Sequence, residues 1–173
     1  MKKVLKTAWF ALLLLVFPVL ALGQEPVMLV DLPESAQMVE NVEFENGDFI
    51  QTYQLENGVS VQLLRYTGFA MTLDELIASD WPLNCGIVMQ EMTELSGVPA
   101  RHAHILQAYD ESGYPVKEAG ASGGVMAIDL IVVNMDGAAL IFQSISKPGA
   151  DAETMAAIIE SLKIQGMEEA EVG

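Results

Sequence analysis

Residues 125–145 read VMAIDLIVVNMDGAALIFQSI, two apolar runs parted by Asp136-Gly137. Asp-Gly accepts the positive φ of a tight turn, so Val125–Val133 and Ala138–Ile145 are predicted to fold back on one another as a β-hairpin. The pattern recurs upstream. Phe49–Leu55 and Val59–Tyr66 alternate apolar and polar residues about Glu56-Asn57-Gly58. Ile87–Leu95 and Ala100–Tyr109 flank Ser96-Gly97-Val98-Pro99. Three hairpins supply an antiparallel sheet of about six strands.

Two helices are predicted beside them. Thr72-Leu73-Asp74-Glu75 has the form of a capping box, in which the threonine oxygen accepts from a helical N–H while the glutamate reaches back. Leu73, Leu76 and Ile77 make its apolar stripe, and Trp81-Pro82 stops it. A second helix follows Lys147-Pro148-Gly149 with Asp151 as N-cap and Met155, Ile158, Ile159 and Leu162 facing inward. The order is hairpin, helix, two hairpins, helix: an α+β domain whose two helices pack on an antiparallel sheet. Residues 24–43, with Pro26 and Pro33, read as a leader or edge strand; 44–164 form the single domain, and 165–173, with three Glu, an acidic disordered tail.

This pattern resembles the PsbP-like superfamily, which includes the PsbP subunit of the photosystem oxygen-evolving complex and the Ran-binding Mog proteins. The features that carry the likeness are the early hairpin, the Thr72–Ser79 helix, Ser96-Gly97-Val98-Pro99-Ala100 at a strand turn, and Ile158-Ile159-Glu160-Ser161-Leu162 in the last helix. The likeness covers roughly residues 44–164, at the level of pattern. It implies an α/β/α sandwich and a habit of assisting other proteins. The superfamily shares no catalytic set, so no active site is carried over.

The N-terminus reads as an export signal. Lys2, Lys3 and Lys6 precede an apolar run from Ala8 to Leu22 that Pro18 interrupts. That run is short of the roughly 20 apolar residues a spanning helix needs. Ala21 and Gly23 place cleavage before Gln24, and the absence of Cys at that position argues against a lipid anchor. Loss of residues 1–23 leaves five bases against 24 acids, a net charge of −19. Such a chain repels nucleic acid and anionic lipid headgroups, so neither is an expected partner, and no membrane insertion is expected after cleavage. The expected location is the periplasm or the extracellular space. Cys85 is the only cysteine, so no intrachain disulfide forms and the core holds the fold unaided.

Five constellations bear on chemistry. Cys85 in Asn84-Cys85-Gly86 needs a nearby base to act as a nucleophile, and otherwise behaves as a small hydrophobe. Gly120-Ala121-Ser122-Gly123-Gly124 lacks the lysine of a phosphate loop and leads into a strand, so it reads as a connection. Ser96, His102 and Asp110 are triad types without a nucleophile elbow. Met89 and Met92, three apart on a strand, point to opposite faces and read as core filling rather than copper ligands. His102 and His104 share one strand face. A four-residue loop between Leu95 and Ala100 sets Glu91 opposite His104, Thr93 opposite His102 and Glu94 opposite Arg101. His102, His104 and Glu91 then form a candidate site for a divalent metal, Zn²⁺ or Cu²⁺. No catalytic residue and no organic cofactor is assigned. The leading expectation is an exported, non-enzymatic accessory protein that binds another protein in the cell envelope. A metal-binding protein is the alternative, and an enzyme centred on Cys85 the third.

Overall fold

A computed structural model describes residues 25–68, 72, 75, 85–112, 114–116, 123–135, 137–147 and 152–166, with 85–88 and 115 described in their backbone alone. The predicted signal, most of the predicted first helix, Asp136, Asp151 and most of the tail lie outside these residues. One compact unit spans Val27–Ile164.

The strands are β1 (Val27–Leu29), β2 (Gln37–Glu43), β3 (Phe49–Gln54), β4 (Ser60–Thr67), β5 (Cys85–Leu95), β6 (Val98–Tyr109), β7 (Pro115–Val116), β8 (Gly124–Met135), β9 (Ala138–Ser146) and β10 (Lys163–Gln165). One described helix, α1, spans Ala152–Glu160. The main sheet runs β2-β3-β4-β9-β8-β6-β5, with β7 paired to β6 beyond the start of β5; β1 and β10 form a separate two-stranded sheet. The fold is thus mainly antiparallel β, richer in strands than the six expected. The additional strands are short or lie at the margin. β1, β7 and β10 have three residues or fewer and offer no period to read, and β2 is exposed throughout, so it lacks an alternating apolar face.

The opening hairpin occupies the middle of the sheet as β8 and β9. Val132, Val133, Leu140, Ile141 and Phe142 are all buried, because both faces of these strands are covered. A strand buried on both sides reads as a continuous apolar run rather than an alternation. One face carries Val61, Leu63, Ile131, Val133, Leu140 and Phe142, on which Met155 and Ile158 of α1 pack. The other carries Ala103, Ile105, Ile128, Leu130, Val132 and Ile141. The expected inward residues of α1 are thereby located, with Ile159 half-buried and Leu162 buried just beyond the helix. The capping box is also formed: Thr72 N donates to Glu75 Oε2 at 2.9 Å, and Glu75 N donates to Thr72 Oγ1 at 3.1 Å. Hydrogen bonds from the Thr72 N–H and, at 2.8 Å, from its hydroxyl hold the Glu75 carboxyl below its ordinary range.

The β5–β6 hairpin departs from the expected register. Its turn is the two residues Ser96 and Gly97, at φ 52° and 80°, and Leu95 pairs with Val98. Two successive left-handed residues make the tight turn whose twist suits a hairpin, so the strands continue through Val98 and Pro99. Pro99 is tolerated because in this register its nitrogen faces away from β5, and the β6–β8 ladder starts only at Arg101. Glu91 therefore faces His102, Thr93 faces Ala100, Met92 faces Arg101 and Glu94 faces Pro99.

Candidate functional site

The corrected register lines up a chain of polar side chains across β5, β6 and β8. His102 and His104 lie on the same face, as strand periodicity requires. His104 stands directly opposite Asp129, whereas His102 stands opposite Ile131, so Asp129 lies diagonally from it. Both imidazoles reach one oxygen. Asp129 Oδ1 is 3.2 Å from His102 Nε2 and 3.1 Å from His104 Nδ1. On the far side of the His102 ring, Nδ1 is 3.7 Å from Glu91 Oε1. His102 is buried, with 8% of its surface exposed.

Burial by itself would raise the Asp129 carboxyl. Hydrogen bonds from His102 and His104, together with their charge, outweigh it and hold the group below the usual carboxylate range. Asp129 is therefore an ionised acceptor that holds two imidazoles, and each ring offers a proton-binding nitrogen. Ser144, directly opposite Asp129 on β9, is buried, and its Oγ has no hydrogen-bond partner among the described residues.

Sequence reasoning named both histidines and Glu91 but missed Asp129. Its signal was available: one carboxylate in the apolar run Ala127-Ile128-Asp129-Leu130-Ile131, where a buried charge requires a partner. Glu91 and Asp129 address different nitrogens of His102, so the expected set of His102, His104 and Glu91 does not converge on one point. Among the described residues no group of three or more His, Cys, Asp or Glu is arranged to hold a metal ion.

The remaining candidates separate. The backbone of Cys85 opens β5 opposite Gln107. Ser96 Oγ accepts from the Ile164 N–H at 2.9 Å, and Asp110 Oδ1 accepts from the N–H groups of Ser112 and Tyr114 at 2.8 and 3.0 Å. Ser96 and Asp110 are thus turn and packing residues at separate places. Gly123 is required by packing, since a Cβ there would collide with the backbone of Asp110 and Tyr109. Met89 and Met92 are 38% and 61% exposed. They are not core filling, because β5 is a marginal strand of the sheet.

A second feature lies at the opposite margin. β2 is exposed at every position, and Met38, Val39, Val42 and Phe44 are four of the seven large exposed hydrophobics among the described residues. Next to its end lies a cavity of about 320 Å³ bordered by Met28, Glu43, Phe44, Asp48 and Phe49. Phe44 N donates to Asp48 O at 2.9 Å and closes the β2–β3 turn. Although burial tends to raise the Asp48 carboxyl, hydrogen bonds from Thr67 and Asn46 and the Arg65 charge keep it low.

No family model matches this chain, and no curated protein matches it. Similar solved structures include a protein from Bacteroides thetaiotaomicron, with 10% identity and a TM-score of 0.46 over 83% of this chain. This chain spans 46% of that protein, less than half its length. LpqN of Mycobacterium tuberculosis, described as involved in cell envelope biogenesis, is 15% identical with a TM-score of 0.43, covering 81% of this chain and 84% of LpqN. Cyanobacterial PsbP (CyanoP) from Synechocystis is 9% identical with a TM-score of 0.43, covering 80% of this chain and 92% of CyanoP.

Proposed function

We propose that this chain is an exported, non-enzymatic accessory protein that binds another protein in the cell envelope. The carrying observation is the exposed β2 margin, where Met38, Val39, Val42 and the adjoining Phe44 keep apolar surface in water, since clustered exposed hydrophobics mark interaction surfaces. Export rests on the basic, apolar and small-residue order of positions 1–23, with cleavage before Gln24. Among the described residues no helix is long and apolar enough to cross a membrane. Intact mass of the exported protein and affinity capture from an envelope fraction test the proposal together. The expected outcome is a chain beginning at Gln24 that retains one stoichiometric protein partner. Exported material that keeps residues 1–23, or no saturable partner, overturns it.

Asp129 favours a second reading, in which a divalent cation takes the place of the two protons through which His102 and His104 each hydrogen-bond to Asp129 Oδ1. The side chains must then shift to converge, and Glu91 serves as an outer partner of His102. Neutral imidazole is the ligating form, so uptake should weaken below about pH 6.5. Calorimetry with Zn²⁺ or Cu²⁺ tests this reading: stoichiometric uptake should vanish in His102→Ala/His104→Ala. Equal uptake by both proteins, or none by the wild type, ends it.

A further inference from the structure

The accessory reading leaves the chemistry of the partner open, and β2 constrains it. Phe44 N donates to Asp48 O, so in the β2–β3 ladder the even-numbered residues Glu40, Val42 and Phe44 direct their N–H groups at β3. Asn41 and Glu43 direct theirs outward. β2 ends the sheet on its side among the described residues, so these outward groups form an open ladder. A bulge at Val39 interrupts regular pairing at the other end of the strand, which confines the usable edge to Glu40–Phe44.

Acidic side chains predominate around this edge, and Arg65, the base at the β2–β3 turn, is buried with its guanidinium donating to Gly47 O at 2.7 Å. From Glu25 to Leu64 the chain contains Glu25, Asp31, Glu34, Glu40, Glu43, Glu45, Asp48 and Glu56, and no Lys, Arg or His. A second copy of the chain would bring the same carboxylates face to face. A basic segment would instead gain attraction and faster encounter. At the end of the edge, Phe44 is half exposed beside the cavity that Glu43 and Asp48 border. A long cationic side chain suits such a cavity, with its methylenes against the aromatic ring and its charge near the carboxylates.

We infer that the Glu40–Phe44 edge of β2 is a docking site for an extended, cationic segment of a partner protein, which adds as a strand and places a Lys or Arg side chain in the cavity beside Phe44. This rests on the accessory-protein reading and names the partner's chemistry. Backbone hydrogen bonds to Asn41 and Glu43 supply the attachment, and the acidic surroundings supply the selectivity.

Fluorescence anisotropy with a labelled peptide of alternating lysine and valine tests the inference on the purified protein. Saturable binding is expected, with none of the matching glutamate–valine peptide. Asn41→Pro removes an outward N–H but no β2–β3 hydrogen bond, and should weaken binding by about tenfold or more. Glu43→Lys, which leaves the backbone donor in place, should weaken it as well and keeps the test open if the proline variant fails to fold. Equal binding by wild type and both variants would mark diffuse acidic association and overturn the site. A dimer that Asn41→Pro dissolves would assign the edge to a second copy. Slow hydrogen exchange at the Asn41 and Glu43 amides of the free protein would show that its own chain already covers the edge. Either result overturns the inference. An envelope partner whose capture ignores both variants would defeat the β2 site while leaving the accessory role intact.

Discussion

β8 and β9 bury residues on both faces at the middle of the sheet, whereas β2 exposes all seven of its residues at one margin. Both belong to one antiparallel sheet, but β8 and β9 are paired along both edges and β2 along one among the described residues. The difference extends to their side chains. In the centre, Ile131, Val133, Leu140 and Phe142 meet α1 on one face, while Val132 and Ile141 lie in the second core cluster on the other. At the margin, Val42 and Phe44 retain apolar surface in water beside Glu43. Stability is thus concentrated in the centre, and the margin leaves apolar surface exposed.

Substitutions separate the two regions. Phe142 is fully buried in the cluster beneath α1, so Phe142→Ala should lose about 3–5 kcal/mol through lost burial and a residual cavity. Urea denaturation measures the loss directly. A change below about 1 kcal/mol would mean that the centre is not where the fold is held.

Asp129 tests a polar position within that centre. Asp129→Ala deprives the buried His102 ring of its partner and should cost about 1–3 kcal/mol. Its folded-state carboxyl lies below the usual range, while an unfolded aspartate titrates near about 3.9. The contribution is therefore present above about pH 4 and is lost as the pH falls through the lower folded value. Denaturation of wild type and Asp129→Asn across this interval should show their difference shrinking with acid. A constant difference would mean that the ionised carboxylate is not what holds the two imidazoles.

The turn between β5 and β6 should yield a smaller effect. Gly97 has φ 80°, and a Cβ there meets nothing within 4 Å, so Gly97→Ala changes backbone strain alone. A loss of about 1–2 kcal/mol is expected by thermal melting. No loss at all would indicate that the turn relaxes toward the longer loop first read from the sequence.

That loop shows why the centre was legible and the candidate site only in part. The Val125–Ile145 run declares its own pairing, because burial on both faces leaves few polar positions and Asp136-Gly137 marks the reversal. Ser96-Gly97-Val98-Pro99 is ambiguous, because the proline suggests a loop residue while the glycine permits a two-residue turn. Choosing the longer loop moved Glu91 from His102 to His104. Asp129 was hidden for a different reason: its histidine partners sit in a strand distant in sequence, and only the β6–β8 pairing brings them together. β2 was legible only as part of a leader or edge strand over 24–43, because exposure on both faces erases the alternation by which strands are recognised.

The smallest expected effect on stability falls at the margin itself. Phe44 is 50% exposed and lies outside both core clusters, so Phe44→Ser removes little buried area. The backbone bonds of the turn do not depend on its ring: Phe44 N donates to Asp48 O, and Phe44 O accepts from Gly47 N at 3.0 Å. The melting midpoint should therefore move by no more than about 0.5 kcal/mol would produce, in contrast to Phe142→Ala. Binding of the lysine–valine peptide should fall in the same variant, since the apolar wall of the cavity is gone. Calorimetric melting and anisotropy on one preparation decide the matter. A large loss of stability would place Phe44 in the core, and unchanged stability with unchanged peptide binding would remove the ring from the docking surface.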